Sequence, residues 1–226
     1  GTLPLLDTLE DKISSLPVSQ TKETPEKAVF VLTGLSAAGK SLIADFIKLL
    51  LEKASGKDVS VINTDEIRKV LIAGIPAESE KYKLIGIKQI IYTEEITKAT
   101  YRRLIHSAKK ALKLIKEGKE VNYALLLDGT FTEKWQREAA YKLAKSVGAK
   151  LVIVEITSPF EAMMERSLKR WFKPSTSDAT PEIIRYQWKE FKLISSQELS
   201  AYNLNSDEVY SLFNFGTKDY LLNNTL

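Results

Sequence analysis

Eight residues, GLSAAGKS at positions 34–41, have the types and spacing to hold a polyphosphate. They fit G-x-x-x-x-G-K-S, and they lie between the apolar run AVFVLT and the amphipathic segment LIADFIKLL. That strand–loop–helix context is what the pattern requires. Glycines let the chain wrap so that main-chain N–H groups face inward, and the positive end of the following helix favours an anion. Gly34, Leu35, Ser36, Ala37, Ala38, Gly39, Lys40, Ser41 and Leu42 are therefore expected to cradle ATP or another nucleoside triphosphate. Lys40 would reach the β and γ oxygens, and Ser41 would offer its hydroxyl to Mg2+. The plain alternative is a strand-to-helix turn with a surface lysine.

Three further stretches carry groups suited to the same chemistry. In NTDEIRK, 63–69, Asp65 and Arg68 share one face of a helical turn. An acid that accepts a hydroxyl proton and a cation that holds an anionic acceptor suit phosphoryl transfer to an alcohol. The competing reading is a helix cap by Thr64 or Asp65, with Arg68 facing solvent. In LLLDGTF, 125–131, Asp128 ends an apolar run at the edge where open α/β sheets bind ligands. It could hold a water of the magnesium shell, or it could cap the next helix, for which Thr130 is the better candidate. In ERSLKRWFKP, 165–174, Arg166 and Arg170 lie i,i+4 with Lys169 beside them. Arginines on a mobile helix can close over phosphates; solvated charge on an amphipathic helix is the bland reading.

The elements that would position these groups alternate in type. Apolar runs predict strands at 28–33, 58–63, 122–130 and 150–156, with a last one at 208–215. Helices are expected at 5–16, 40–53, 65–73, 79–117, 131–146, 159–170 and 181–197. In the long helix Tyr101, Ile105, Ala108, Leu112 and Ile115 form a buried stripe. Arg102, His106, Lys109, Lys113 and Lys116 repeat the spacing one step round. Residues 1–27 read as an N-terminal helix and linker before one domain at 28–226, whose tail from about 201 has no evident role. Alternating strands and helices argue for an α/β fold with a parallel sheet covered on both faces.

Composition narrows the classes. There are 226 residues with 44 % hydrophobic content, enough for one sizeable core. The absence of cysteine excludes thiolate chemistry, and a single histidine excludes a histidine-rich metal site. Oxygen-ligated hard cations remain open. The net charge of +4 biases weakly toward anionic partners. No run approaches the length of a membrane span and no basic leader precedes the first helix, so a cytoplasmic location without membrane partners is expected.

Taken together these residues resemble the small P-loop kinases related to polynucleotide kinase, zeta toxins, gluconate kinase and adenylylsulfate kinase. The similarity rests on Gly34 to Ser41, Asp65 and Arg68, Tyr101 to Gly118, Leu127 to Phe131, Arg166 and Arg170, and Ser177 to Ala179 with Gln187. It implies a P-loop NTPase-type parallel β-sheet of about five strands flanked by helices, with a mobile helical lid within 159–182. It also implies that Lys40, Asp65, Arg68, Arg166 and Arg170 are catalytic, with Asp65 as base. Arg68 and Arg102 would bind the acceptor. The partners implied are a nucleoside triphosphate, Mg2+ and a hydroxyl-bearing small metabolite or nucleotide. Two other readings stay open: a 5′-OH polynucleotide kinase, and a non-enzymatic nucleotide-binding module. The sequence names neither the acceptor nor the oligomeric state.

Overall fold

The computed structural model describes residues 28–56, 58–75, 93–116, 124–171, 179–204 and 209–213. Five strands form one sheet: β1 (Ala28–Thr33), β2 (Ser60–Asn63), β3 (Ala124–Asp128), β4 (Lys150–Thr157) and β5 (Val209–Phe213). Their order is β2-β3-β1-β4-β5 and every pairing is parallel. The helices are α1 (Lys40–Ser55), α2 (Thr64–Ala73), α3 (Glu94–Lys116), α4 (Lys134–Ser146), α5 (Phe160–Trp171), α6 (Pro181–Glu190) and α7 (Ser196–Ala201). The α/β P-loop architecture expected from the sequence is therefore present.

Strand β1 is buried at all six positions because both faces of the sheet are covered. That is why AVFVLT reads as a continuous apolar run and not as an alternation. Phe30, Leu126 and Val154 point to one face, against Ile43, Ile47 and Leu51 of α1 and Met163 of α5. Val31, Leu127 and Ile153 point to the other, against Tyr101, Leu104 and Leu112 of α3 and Leu143 of α4. Each such fully buried side chain contributes roughly 1.5–3 kcal/mol. Because β1 leads into a helix on one face and β3 into a helix on the other, their carboxyl ends diverge and leave a crevice between them. Ligands bind at such a point in open α/β sheets.

Two helix boundaries differ from the expectation. The helix placed at 131–146 begins at Lys134, and its cap is Glu133 in a capping box with Gln136, not Thr130. Phe131 instead takes a left-handed conformation (φ 46°). Its N–H donates to Tyr101 Oη at 2.8 Å, and its carbonyl accepts from Arg137 Nη1 at 2.7 Å. The helix placed at 181–197 stops at Glu190, where Phe191 turns extended and packs against the core, and α7 resumes at Ser196. Arg137 also pairs with Glu198 at 2.6 Å with both side chains buried, which fastens α7 to α4. Pro181 does open α6, with Thr180 accepting from the Ile183 N–H. The N-terminal helix and linker, the part of the long helix before 93, Ile115 with Lys116, and most of the loop at 173–181 fall outside the described residues or side chains.

Candidate active site

The loop Gly34–Gly39 leaves β1 and delivers Lys40 and Ser41 to the first turn of α1. Gly34 (φ 151°) has no substitute: a Cβ there would stand 2.2 Å from the Ile156 carbonyl oxygen. Its N–H donates to the Thr130 carbonyl at 3.0 Å, tying the loop to the end of β3. Gly39 (φ 98°) is the N-cap, so α1 starts with no side-chain cap and no acid in its first turn. Its leading N–H groups and positive helix end suit an anion. Leu42 follows in the first turn, half-buried.

Ala37 is also left-handed (φ 64°), a conformation that costs a non-glycine residue about 1–3 kcal/mol. Two distant side chains hold it. Arg166 Nη1 donates to the Ala37 carbonyl at 2.9 Å and to Ser158 Oγ at 2.9 Å. One residue earlier, the Ser36 N–H donates to Gln187 Oε1 at 3.1 Å. One expected lid arginine thus touches the loop directly. The other, Arg170, lies near enough to Lys40 for its charge to disfavour the lysine's proton. Beside the loop an apolar cavity of about 550 Å³ is lined by Leu35, Ala38, Met163, Trp188 and Phe191, among others.

Across the crevice, Asp128 Oδ2 accepts from Ser41 Oγ and from Asn63 Nδ2, each at 2.9 Å. Burial pushes the Asp128 carboxyl above its ordinary value, while Lys40 and Ser41 pull it back. Burial likewise lowers Lys40, and the carboxylates of Asp128 and Asp65 oppose that shift. Lys40 Nζ folds back onto the Leu35 carbonyl at 2.8 Å. A hydroxyl and a carboxylate oxygen this close are the hard donors Mg2+ prefers, so the residues present fit that ion. Asp128 does not cap α4.

Asn63 is the residue that sequence reasoning missed. Its Oδ1 accepts from the N–H groups of Asp65 (2.7 Å) and Glu66 (3.3 Å), so it, and not Thr64 or Asp65, caps α2. An Asn directly before an acidic first turn is the signal that could have identified it. Asp65 is thereby released from capping, and Arg68 Nη1 bonds its Oδ1 at 3.0 Å. Arg68 is 3 % exposed, which removes the solvent-facing alternative. Tyr101, expected only as core, reaches the same edge: its hydroxyl lies 3.3 Å from Thr130 Oγ1. Burial raises its pKa, which keeps the phenol protonated. Gly129 completes the packing, since a Cβ there would meet Thr64 Cγ2 at 2.8 Å.

Lys40 and Arg68 thus stand beside Asp65 and Asp128, while Arg170 lies near Lys40 and Arg166 holds the loop at Ala37. Arg102 is not among them. It lies on the exposed side of α3, in a groove against α4.

The AAA domain family matches residues 29–194, and the chain belongs to that family. No curated protein matches it. Among solved structures, a candidate kinase from Chloroflexus aurantiacus is similar over 88% of this chain and 91% of its own, at 14% identity and a TM-score of 0.59. Kti12 of Chaetomium thermophilum, in complex with ADP-AlF3, is similar over 87% of this chain and 94% of its own, at 15% identity and a TM-score of 0.56. The APS kinase CysC of Mycobacterium tuberculosis, in complex with AMPPNP and APS, is similar over 67% of this chain and 75% of its own, at 21% identity and a TM-score of 0.47. The first two likenesses establish the fold. Among the described residues, no helix is long and apolar enough to cross a membrane.

Proposed function

We propose that this AAA-domain protein is an ATP-dependent phosphotransferase that moves a terminal phosphoryl group to a hydroxyl of a small metabolite or nucleotide. The observation that carries the reading is Asn63. It bonds Asp128 on one side and the first turn of α2 on the other, which holds Asp65 and Arg68 opposite the loop. A protein that only bound nucleotide would have no use for a half-buried acid–arginine pair in the same crevice.

In this reading the N–H groups of the loop and Lys40 bind the triphosphate, and the cavity beside Leu35 and Ala38 takes the base. Ser41 directly, and Asp128 through water, would hold Mg2+, which when bound supplies neutralising charge at the β and γ oxygens. Asp65 Oδ accepts the proton of the acceptor hydroxyl, and Arg68 holds Asp65 in place and faces the acceptor. Lys40, Arg166 and Arg170 balance the charge that spreads over the transferring group. For Arg166 this requires the α5 side chain to exchange its bond to the Ala37 carbonyl for a phosphate oxygen, as a closing lid would.

The test is a panel of hydroxyl acceptors with γ-labelled ATP and Mg2+. Wild type should label at least one acceptor class, and Lys40→Ala should lose that transfer while melting normally. Equal labelling by both proteins would contradict the assignment of the loop.

A further inference from the structure

The face of α3 that turns toward α4 has a composition the proposed chemistry does not use. After Glu95, the helix EEITKATYRRLIHSAKKALKLIK contains no acid, while Lys98, Arg102, Arg103, Lys109, Lys110, Lys113 and Lys116 are all basic. Arg102, His106 and Lys109 are exposed, and none forms an ion pair or hydrogen bond with a described residue. With Lys98, Ile105, Ala139 and Trp135 they line a groove of about 570 Å³ between α3 and α4. That volume is within the range of ligand-binding clefts.

Trp135 gives the groove a second property. It is 36 % exposed, and its Nε1 bonds the Glu133 carboxylate, which fixes the ring. Its inner edge meets Tyr101 at 5.6 Å between centroids, and Tyr101 in turn meets Phe131 at 5.1 Å, both edge-to-face. The indole is thus a braced, half-exposed aromatic surface beside a row of cations. Arg102 and Lys109 lie about 10 Å apart along the helix, at 1.5 Å per residue. Repeated positive charge with an aromatic platform is what a single-stranded nucleic acid needs, the cations for phosphates and the ring for a base. An acidic peptide would use the charges and leave the ring without a task.

The groove also has a fixed relation to the crevice. Helix α3 ends seven residues before β3 begins, so its N-terminal part lies at the carboxyl edge of the sheet. Tyr101 marks the junction: its ring forms the inner wall of the groove and its hydroxyl bonds Thr130 and Phe131, just past Asp128.

We propose that the α3–α4 groove binds a single-stranded nucleic acid, with a base against Trp135 and phosphates on Arg102, His106 and Lys109, and that this strand presents the acceptor hydroxyl. The last clause rests on the phosphotransferase reading; the binding does not.

The test uses the full chain without ATP and a single-stranded oligonucleotide with a 5′ hydroxyl and a 3′ fluorophore. Anisotropy should show binding that weakens with salt, with a log–log slope of about −1.4 for two phosphates neutralised by Arg102 and Lys109 at about −0.7 each. The double variant Arg102→Glu, Lys109→Glu should weaken binding at least tenfold and flatten the slope. Trp135→Leu should weaken it by about 10- to 100-fold with the slope retained, as loss of stacking predicts. Polyphosphate without bases should bind more weakly and be indifferent to Trp135→Leu. If Trp135→Leu does not fold, the exposed charge variants and the polyphosphate comparison carry the test. Oligonucleotide affinity unchanged in the charge variants overturns the proposal, and so does polyphosphate or an acidic peptide that binds as tightly as the oligonucleotide. Binding in the groove without phosphate transfer to any acceptor would sustain the groove and count against the phosphotransferase. Transfer to a small alcohol with no oligonucleotide binding would do the reverse.

Discussion

Replacing Gln187 by leucine removes the acceptor of the Ser36 N–H while keeping a side chain of similar bulk on α6. Ser36 is 6 % exposed, so water does not readily substitute. A buried N–H left without its acceptor costs about 1–3 kcal/mol. For a chain of this size each kcal/mol moves the melting temperature by about 2–4 °C, so a fall of about 2–12 °C is expected. The same change frees one of the restraints on a loop that contains the left-handed Ala37, and leaves the Arg166 bond to the Ala37 carbonyl in place. If about 1–2 kcal/mol of loop ordering is transferred to the binding step, ATP affinity weakens by about 5- to 30-fold. Differential scanning calorimetry and ATP titration of the same samples read both effects. Gln187→Glu keeps an acceptor, so it should recover the melting temperature, yet it places negative charge beside the loop and should still bind ATP poorly. Unchanged melting together with tighter ATP binding in Gln187→Leu would refute the reasoning. It would mean that Gln187 competes with phosphate for the Ser36 N–H.

Two further outcomes follow from buried charge. Burial raises the Asp128 carboxyl, so above its ordinary value the ionised form is disfavoured in the fold relative to the unfolded chain. Asp128→Asn should therefore melt about 2–4 °C higher without ligand, for a gain of about 1 kcal/mol, and lose the Mg2+ dependence of ATP binding; a lower melting point with Mg2+ dependence intact would contradict this. At Glu198 burial pushes the carboxyl up, but its hydrogen bonds from Arg137 and Tyr202 outweigh that and leave it below 4.5. The stability it contributes is then fully present above its ordinary value and lost as pH falls through the lower folded value. Glu198→Gln should cost about 3–5 kcal/mol at neutral pH by stranding buried Arg137, with the gap to wild type closing below about pH 4.5; a gap independent of pH by denaturant titration would show the pair to be unimportant.

The parts of the fold legible in the sequence are the ones that local chemistry decides. The phosphate loop is legible because strand, loop and helix are contiguous, and β1, β3 and β4 because strands buried on both faces carry near-continuous apolar runs, VFVL, ALLL and LVIV. What could not be read depends on partners far away in the chain. Phe131 leaves the helical pattern because Tyr101, 30 residues earlier, takes its N–H. Helix α6 breaks at Phe191 because that ring packs on the core. Arg166 and Gln187 reach the loop across 129 and 151 residues, so no spacing rule could couple them to Ala37 and Ser36. Asp65 and Arg68 were visible as a pair because an i,i+3 contact is local. Asn63, which joins that pair to Asp128, acts as a cap on one side and a tertiary donor on the other, and only the first role follows from sequence.

The central claim is that Asp65 does chemistry while the loop does binding. It is tested most directly by Asp65→Asn, assayed for ATP–Mg2+ affinity and for single-turnover transfer of labelled phosphate to an acceptor that wild type uses. Single turnover is needed because lid opening can limit the steady state. The account predicts ATP affinity within a few-fold of wild type, since the loop at 34–41 and Asp128 make those contacts. It predicts transfer slower by about 10²- to 10⁴-fold, which is about 3–5 kcal/mol of lost transition-state stabilisation. Asp65→Glu, which keeps the charge and moves the oxygens, should also be slow. Undiminished transfer by Asp65→Asn, or ATP binding that collapses along with transfer, would contradict the account.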